Sequence, residues 1–286
     1  LQTLPAVAGE VLESLYEHRL LSTRQIHQMH TPTSGMRWCR TILAGLRRHE
    51  LVNLVRTAEG GGSIYFLTTR GAQAVELTNA RTPYRRKLIT PEQALGPLRA
   101  HTLAVNETGI AFMQAAREHE DDEFGALSWQ HEVAHPIGNR ESLTADALLT
   151  YLQYAPEGEL LFHYRLLELD RASMPVEKLT AKLARYARLY HYTPSQQRTP
   201  AWQTRYEAFP EVICVLDGAT ESAIERRMQS VLALCHSDYQ LQQTPEVGIS
   251  ICALSDLTAQ GPFAAIWRRP TEQQPLGWLD TADSKE

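Results

Sequence analysis

Two carboxylates, Glu168 and Asp170, close the apolar run LLFHYRLLELD at residues 160–170, and a lysine-bearing pattern, VEKLTAKLARYARLY, follows almost at once. Alternate residues of an extended strand share a face, so Phe162, Tyr164, Leu166, Glu168 and Asp170 project together. A third carboxylate, Asp146, opens the run ADALLTYLQY. A paired strand starting there would set Asp146 beside the other two. Three hard oxygen donors suit Mg²⁺ or Mn²⁺, which can activate water and clamp a phosphate. The cofactor expected is therefore Mg²⁺ or Mn²⁺ on Asp146, Glu168 and Asp170 if the site is competent, and otherwise none. The next helix offers Lys178 and Lys182. Its apolar stripe is Val176, Leu179, Leu183, Tyr186, Ala187 and Tyr190, and Lys182 sits at the edge of that stripe, where a lysine stem can reach inward. Lys182 is thus the fourth candidate catalytic residue. Plainer roles compete. The acids can cap the following helix or pair with Arg165 or Arg171, and the lysines can lie on a solvated face.

The elements that must position these residues follow from periodicity. Residues 97–120 read as a long helix, GALSWQHEVAHPI as a strand, ADALLTYLQY as a second and LLFHYRLLELD as a third. A helix runs from Pro175 to about Tyr192. PEVICVLDG is a short buried strand, residues 221–235 a helix, and VGISICALSDL and FAAIWRRP read as final strands. This order makes an α/β sandwich around a mixed sheet.

The N-terminal part has another character. Val7, Val11, Leu12, Leu15 and Leu20 fall at helical spacing, Ser22 can cap a short second helix, and Thr33 or Ser34 a third. On that third helix Trp38, Cys39, Ile42, Leu43 and Leu46 share one side; Arg37, Arg40, Thr41, Ala44 and Arg48 share the other. LVNLVRTA and SIYFLTT, split by EGGG, read as a hairpin, and Thr69 can cap a last helix. Three helices, a two-stranded wing and a further helix make a winged helix-turn-helix. Its third helix would enter the major groove, with Arg56 and Arg70 at the wing and Arg85, Arg86 and Lys87 in a basic linker reaching phosphates.

Charge supports that division. Residues 1–87 carry 12 Lys and Arg against 6 Asp and Glu, whereas residues 88–286 carry 16 against 27. A basic head on an acidic body points to an anionic partner, most simply double-stranded DNA. The expected organisation is a two-domain α+β and α/β chain: a DNA-binding domain at 1–80, a basic linker at 81–96, an α/β domain at 97–275 and a flexible tail at 276–286. Cys39, Cys214, Cys235 and Cys252 form no CxxC pair and read as reduced, buried thiols. His27 and His30 match no zinc spacing. No apolar run approaches the ~20 residues of a membrane span, and no basic-then-apolar leader opens the sequence, so no membrane partner and a cytoplasmic location are expected.

The order of elements in the second domain resembles the restriction-endonuclease-like core with its PD-(D/E)xK pattern. That pattern has an acid at the start of the second strand and Glu-x-Lys at the end of the third. The resemblance assigns Asp146 and Glu168 as metal ligands, and Asp170 stands where the lysine belongs. Over roughly residues 10–270 the chain also resembles the replication-relaxation family of actinobacterial plasmids and mobile elements, through IYFLTTRGAQAVE, LLELDRAS, AKLARY at 181–186 and LTAQGPFAAIWRRP. Lys182 and Tyr186 match that family's recurring Lys and Tyr. The resemblance implies a DNA-binding protein of plasmid replication, relaxation or transfer. The expected partners are a specific double-stranded DNA sequence, a second copy of the chain, since two-fold DNA sites reward dimeric readers, and replication or transfer proteins. Its nuclease-like domain would be degenerate and serve dimerisation or partner binding. The alternatives are an active Mg- or Mn-dependent endonuclease or nickase using Asp146, Glu168 and Asp170, and a transcriptional regulator of its own mobile element. A tyrosine relaxase is excluded for lack of a His-hydrophobe-His triplet.

Overall fold

The computed structural model describes residues 4–57, 62–78, 87–119, 122–154 and 158–280. The chain divides into two compact units, residues 1–110 and 111–286. It is a mixed α+β protein, with helices and a small antiparallel sheet in the first unit and a six-stranded mixed sheet with helices in the second. Among the described residues no helix is long and apolar enough to cross a membrane.

The first unit begins with α1 (Val7–His18), β1 (Leu21–Ser22), α2 (Thr23–His30) and α3 (Met36–Arg48). Ser22 caps α2 through a reciprocal capping box with Gln25. At α3 the expected Thr33 or Ser34 cap is replaced by Gly35, without a side-chain hydrogen bond. Cys39, Ile42, Leu43 and Leu46 face the core as read. Trp38 does not: it lies at the border of the stripe and is 45% exposed. β2 (Val52–Arg56) and β3 (Ser63–Leu67) pair antiparallel from Val52–Leu67 to Arg56–Ser63, and β1 adds to β3, giving the order β1-β3-β2.

α4 (Thr69–Thr78) follows at once. Its cap is Thr68, one residue before the expected Thr69: the Gly71 N–H donates to the Thr68 hydroxyl at 3.0 Å. α5 (Pro91–Leu95) occupies part of the stretch expected as linker, capped by Thr90. Ile89 and Ala94 there join Leu20, Ile64 and Phe66 in a buried cluster. The first half of α6 (Pro97–Ala116) is tied in by Asn106, whose buried amide donates to the Leu20 carbonyl at 3.0 Å. Gly71 packs directly against backbone, since a Cβ there would lie 2.0 Å from the Leu51 carbonyl oxygen. Gly71→Ala should therefore destabilise the first unit by about 1–3 kcal/mol, read as a lower urea midpoint; an unchanged midpoint would show that the β2–α4 junction yields freely.

The second unit holds β4 (Asp122–Glu123), β5 (Trp129–Pro136), β6 (Ser142–Tyr154) and β7 (Leu160–Asp170). Next come α7 (Val176–His191), β8 (Glu211–Leu216), α8 (Glu221–Ser237), α9 (Tyr239–Gln242), β9 (Ile249–Ala253) and α10 (Leu254–Gln260). β5, β6 and β7 form an antiparallel meander, and β8 and β9 then add in parallel. The sheet order is β4-β6-β7-β8-β9, with β5 also on β6. Every residue of β9 and all but the first of β8 are buried, as parallel strands covered on both faces require.

Of the two final strands expected, one is cut short and one fails: VGISICALSDL forms β9 only over Ile249–Ala253. The second half of VGISICALSDL is α10, whose Leu254 and Leu257 recur at helical spacing with Asp256 in the first turn. FAAIWRRP makes only isolated bridges, Ile251–Arg268 and Trp267–Leu276, because Pro262 and Pro270 bracket it and neither can donate to a ladder. Leu166, Leu179, Leu183, Tyr186, Val212 and Ile251 share one buried cluster. Phe112, Tyr151 and Trp278 form an aromatic one, with Phe112 edge-on to Trp278 at 5.1 Å.

His135 on β5 is buried, with Nε2 2.7 Å from the Tyr206 hydroxyl. Burial, aided by the Arg205 charge, lowers its pKa from 6.5 to about 4. The folded imidazole thus refuses a proton that the unfolded one accepts. Stability from this group is present above pH ~6.5 and is lost as pH falls toward 4. The thermal midpoint of the wild type, compared with His135→Gln, should decline across that window; a constant difference would contradict the burial effect.

Candidate functional site

The sheet brings Asp146 and Glu168 together. β6 and β7 pair with Ala147 opposite Leu167, so the next step along both strands juxtaposes the two acids. β6 begins at Ser142, four residues before the expected start, and Asp146 therefore sits inside the strand. Its Oδ2 accepts from the Leu169 backbone N–H at 2.8 Å. Glu168 is 1% exposed.

Helix α7 completes the site. Lys182 and Tyr186 are four residues apart, so one lies above the other on the same helix face. The Tyr186 hydroxyl donates to Glu168 Oε1 at 2.6 Å, and the Lys182 ammonium donates to Oε2. Lys182 Nζ is also 3.6 Å from Asp146 Oδ1. Asp146 and Lys182 keep side-chain exposures of 20% and 28%, so the site opens to solvent through them, while Glu168 and Tyr186 form its floor. Lys178 is exposed and takes no part.

Burial, reinforced by the Asp146 charge, pushes the Glu168 carboxyl up to about 8, beyond what Lys182 and Tyr186 pull back. Burial works against the Lys182 ammonium, yet Glu168 and Asp146 outweigh it and hold that pKa above the usual lysine range. The Tyr186 hydroxyl is driven well above its ordinary range by burial and by Glu168, and so stays a donor.

Asp170 does not join this group. It shares the face of Glu168, but Arg227 of α8 pairs with it and also donates to the Met174 carbonyl at 2.7 Å. The arginines weighed as partners for the acids go elsewhere, Arg165 to Glu211 and Arg171 to Asp217. Among the described residues no group of three or more His, Cys, Asp or Glu side chains is placed to hold a metal ion. Asp146 and Glu168 alone remain as adjacent oxygen donors, with the lysine ammonium beside both. Arg227 was missed because nothing local in the sequence links it to a carboxylate 57 residues earlier.

In the first unit Arg37, Arg40, Thr41 and Arg48 lie exposed on α3, as does Arg47, which the sequence reading passed over. The helix carries four arginines and no acid. Arg56 is exposed at the end of β2, Arg70 is exposed and 3.4 Å from Glu50, and Lys87 is exposed. Arg85 and Arg86 lie outside the described residues.

The family model described as replication-relaxation matches residues 12–229, which takes in the first unit from within α1 onward, β6, β7, α7, β8 and the first half of α8. The motif LTAQGPFAAIWRRP lies beyond the match. No curated protein and no solved structure shows significant similarity to the chain.

The Tyr186–Glu168 contact generates a direct test. Glu168→Gln and Tyr186→Phe, measured singly and together by urea unfolding, should show a coupling of at least about 1 kcal/mol. Strict additivity would mean that the hydroxyl does not hold the carboxylate.

Proposed function

The chain belongs to the replication-relaxation family, and from that premise we propose that it is a plasmid replication-associated protein that binds double-stranded DNA through its first unit. The observation that carries this reading is α3, whose exposed surface holds Arg37, Arg40, Arg47 and Arg48 with no carboxylate in the helix. Helices α1 to α3 followed by the β2–β3 hairpin fit a winged helix-turn-helix. In that geometry α3 is the groove helix, Arg56 and Arg70 flank the wing, and Lys87 continues the basic surface. Dimerisation on a two-fold site accords with this mode of binding.

The second unit fits a restriction-endonuclease-like core: a β5–β6–β7 meander, the α7 crossover and parallel β8. Its acidic balance favours a role in dimerisation or partner binding over one in gripping DNA. One observation favours a second reading, a phosphodiester-cleaving site. Lys182 arrives from α7 beside Asp146 and Glu168, supplying from a helix the lysine that the strand lacks at Asp170. Asp146 and Glu168 are the residues that would hold Mg²⁺ or Mn²⁺; such an ion, when bound, neutralises phosphate charge and activates water. Lys182 would orient a phosphate oxygen at the open side. Tyr186 would keep Glu168 in place from beneath.

Two assays on one preparation separate the readings. Duplex binding, followed against salt, should weaken in Arg37→Ala/Arg40→Ala and lose about two from the slope of log K against log salt; an unchanged slope would remove α3 from the interface. Supercoiled plasmid with Mg²⁺ or Mn²⁺ tests the second reading. Nicking by the wild type that Asp146→Asn, Glu168→Gln and Lys182→Ala each abolish would establish an enzyme, and intact plasmid that still shifts on a gel would leave a binding protein.

A further inference from the structure

Of the five tryptophans, Trp129, Trp202, Trp267 and Trp278 are buried, and Trp38 alone is exposed, at 45%. It is the third residue of α3 and stands in that helix's first turn, with exposed Arg37 beside it and exposed Thr41 one turn on. The same helix buries Cys39, Ile42, Leu43 and Leu46, and Trp38 stands at the edge of that apolar stripe. The indole is therefore open to solvent in the first turn of a helix whose four arginines are exposed as well.

We propose that Trp38 is a base-reading residue whose indole packs on thymine C5-methyl groups in the major groove. This rests on the DNA-binding reading above and deepens it. An uncompensated exposed indole costs solubility, and a helix with four arginines and no acid has an anionic polymer as its complement. Residues in the first turns of a groove helix meet base edges, whereas those farther along meet phosphates. Among the base edges of the major groove the one apolar group is the thymine methyl. An indole placed there has that group to cover. The arginines around it supply affinity for any sequence, and Trp38 supplies selection.

The test uses the duplex that the wild-type chain enriches most strongly from a random-sequence pool, together with the same duplex carrying uracil for every thymine. Only methyl groups differ. The wild type should bind the uracil duplex about fivefold to tenfold more weakly. Trp38→Ala should bind the thymine duplex that much more weakly than the wild type and should not distinguish the two, with Trp38→Phe between. Acrylamide quenching of the wild type should fall when the thymine duplex is added, since Trp38 is the accessible indole. Equal losses on uracil substitution in wild type and Trp38→Ala overturn the proposal and leave DNA binding standing. So does a Trp38→Ala chain that binds normally, including one altered only in oligomeric state, which would make the ring a protein contact. Failure of the wild type to enrich any duplex sinks the DNA reading and this proposal together.

Discussion

The second unit is organised around a buried carboxylate that water cannot reach. Removing Glu168 from solvent is costly unless its oxygens are given partners. Both partners come from one helix: Tyr186 takes one oxygen and Lys182 the other. Their four-residue spacing is what lets a single helix face satisfy both. The register of α7 on β7 follows, because a rotation that kept its leucines inward and moved Lys182 or Tyr186 away would strand the acid. Leu179, Leu183 and Ala187 bury beside them and supply most of the apolar gain, but apolar packing alone tolerates more than one rotation. The polar pair selects among those rotations.

Asp170 repeats the arrangement one step along the strand. Residues 166, 168 and 170 share a face of β7: Leu166 enters the apolar cluster, Glu168 ties α7, and Asp170 ties α8 through Arg227. Neighbouring helices are thus anchored to one strand by alternate acids. On the nuclease-like reading proposed above, this is how an aspartate can stand where that pattern has lysine. The position is taken by a structural ion pair, and a lysine reaches the Asp146–Glu168 pair from the helix instead.

Much of this was legible in the sequence, for identifiable reasons. β7 ends at Asp170 as its apolar run does, and the parity of its residues places Glu168 and Asp170 on one face. Lys182 stood at the border of an apolar stripe and proved to turn inward; Trp38 stood at a similar border and turned outward. Periodicity cannot resolve such border positions, since a few tens of degrees of helix rotation decide them. The overextension of the β9 strand past residue 253 has a related origin. β-branched and apolar content alone does not separate a buried strand from the helix that continues it, as Ala253 passing directly into α10 illustrates. Arg227 was invisible because its partnership depends on the crossover that folds α8 back across the sheet.

The charge asymmetry of the sequence becomes sharper once pairing is considered. In the second unit Arg165, Arg171, Arg188, Arg227, Arg268 and Arg269 are all held by internal carboxylates. An arginine already paired at hydrogen-bond distance has little attraction left for a phosphate, because the new contact must first displace the old one. On α3 the arginines share a helix that contains no acid. Net charge therefore understates the difference between the units. In the first unit Arg24 and Arg70 are paired with Glu107 and Glu50, while the arginines of α3 lie exposed; in the second, the six arginines named are engaged by carboxylates. The exposed positive charge of α3 thus has no acid within its own helix, whereas at the acids of β6 and β7 the Lys182 ammonium stands beside both Asp146 and Glu168.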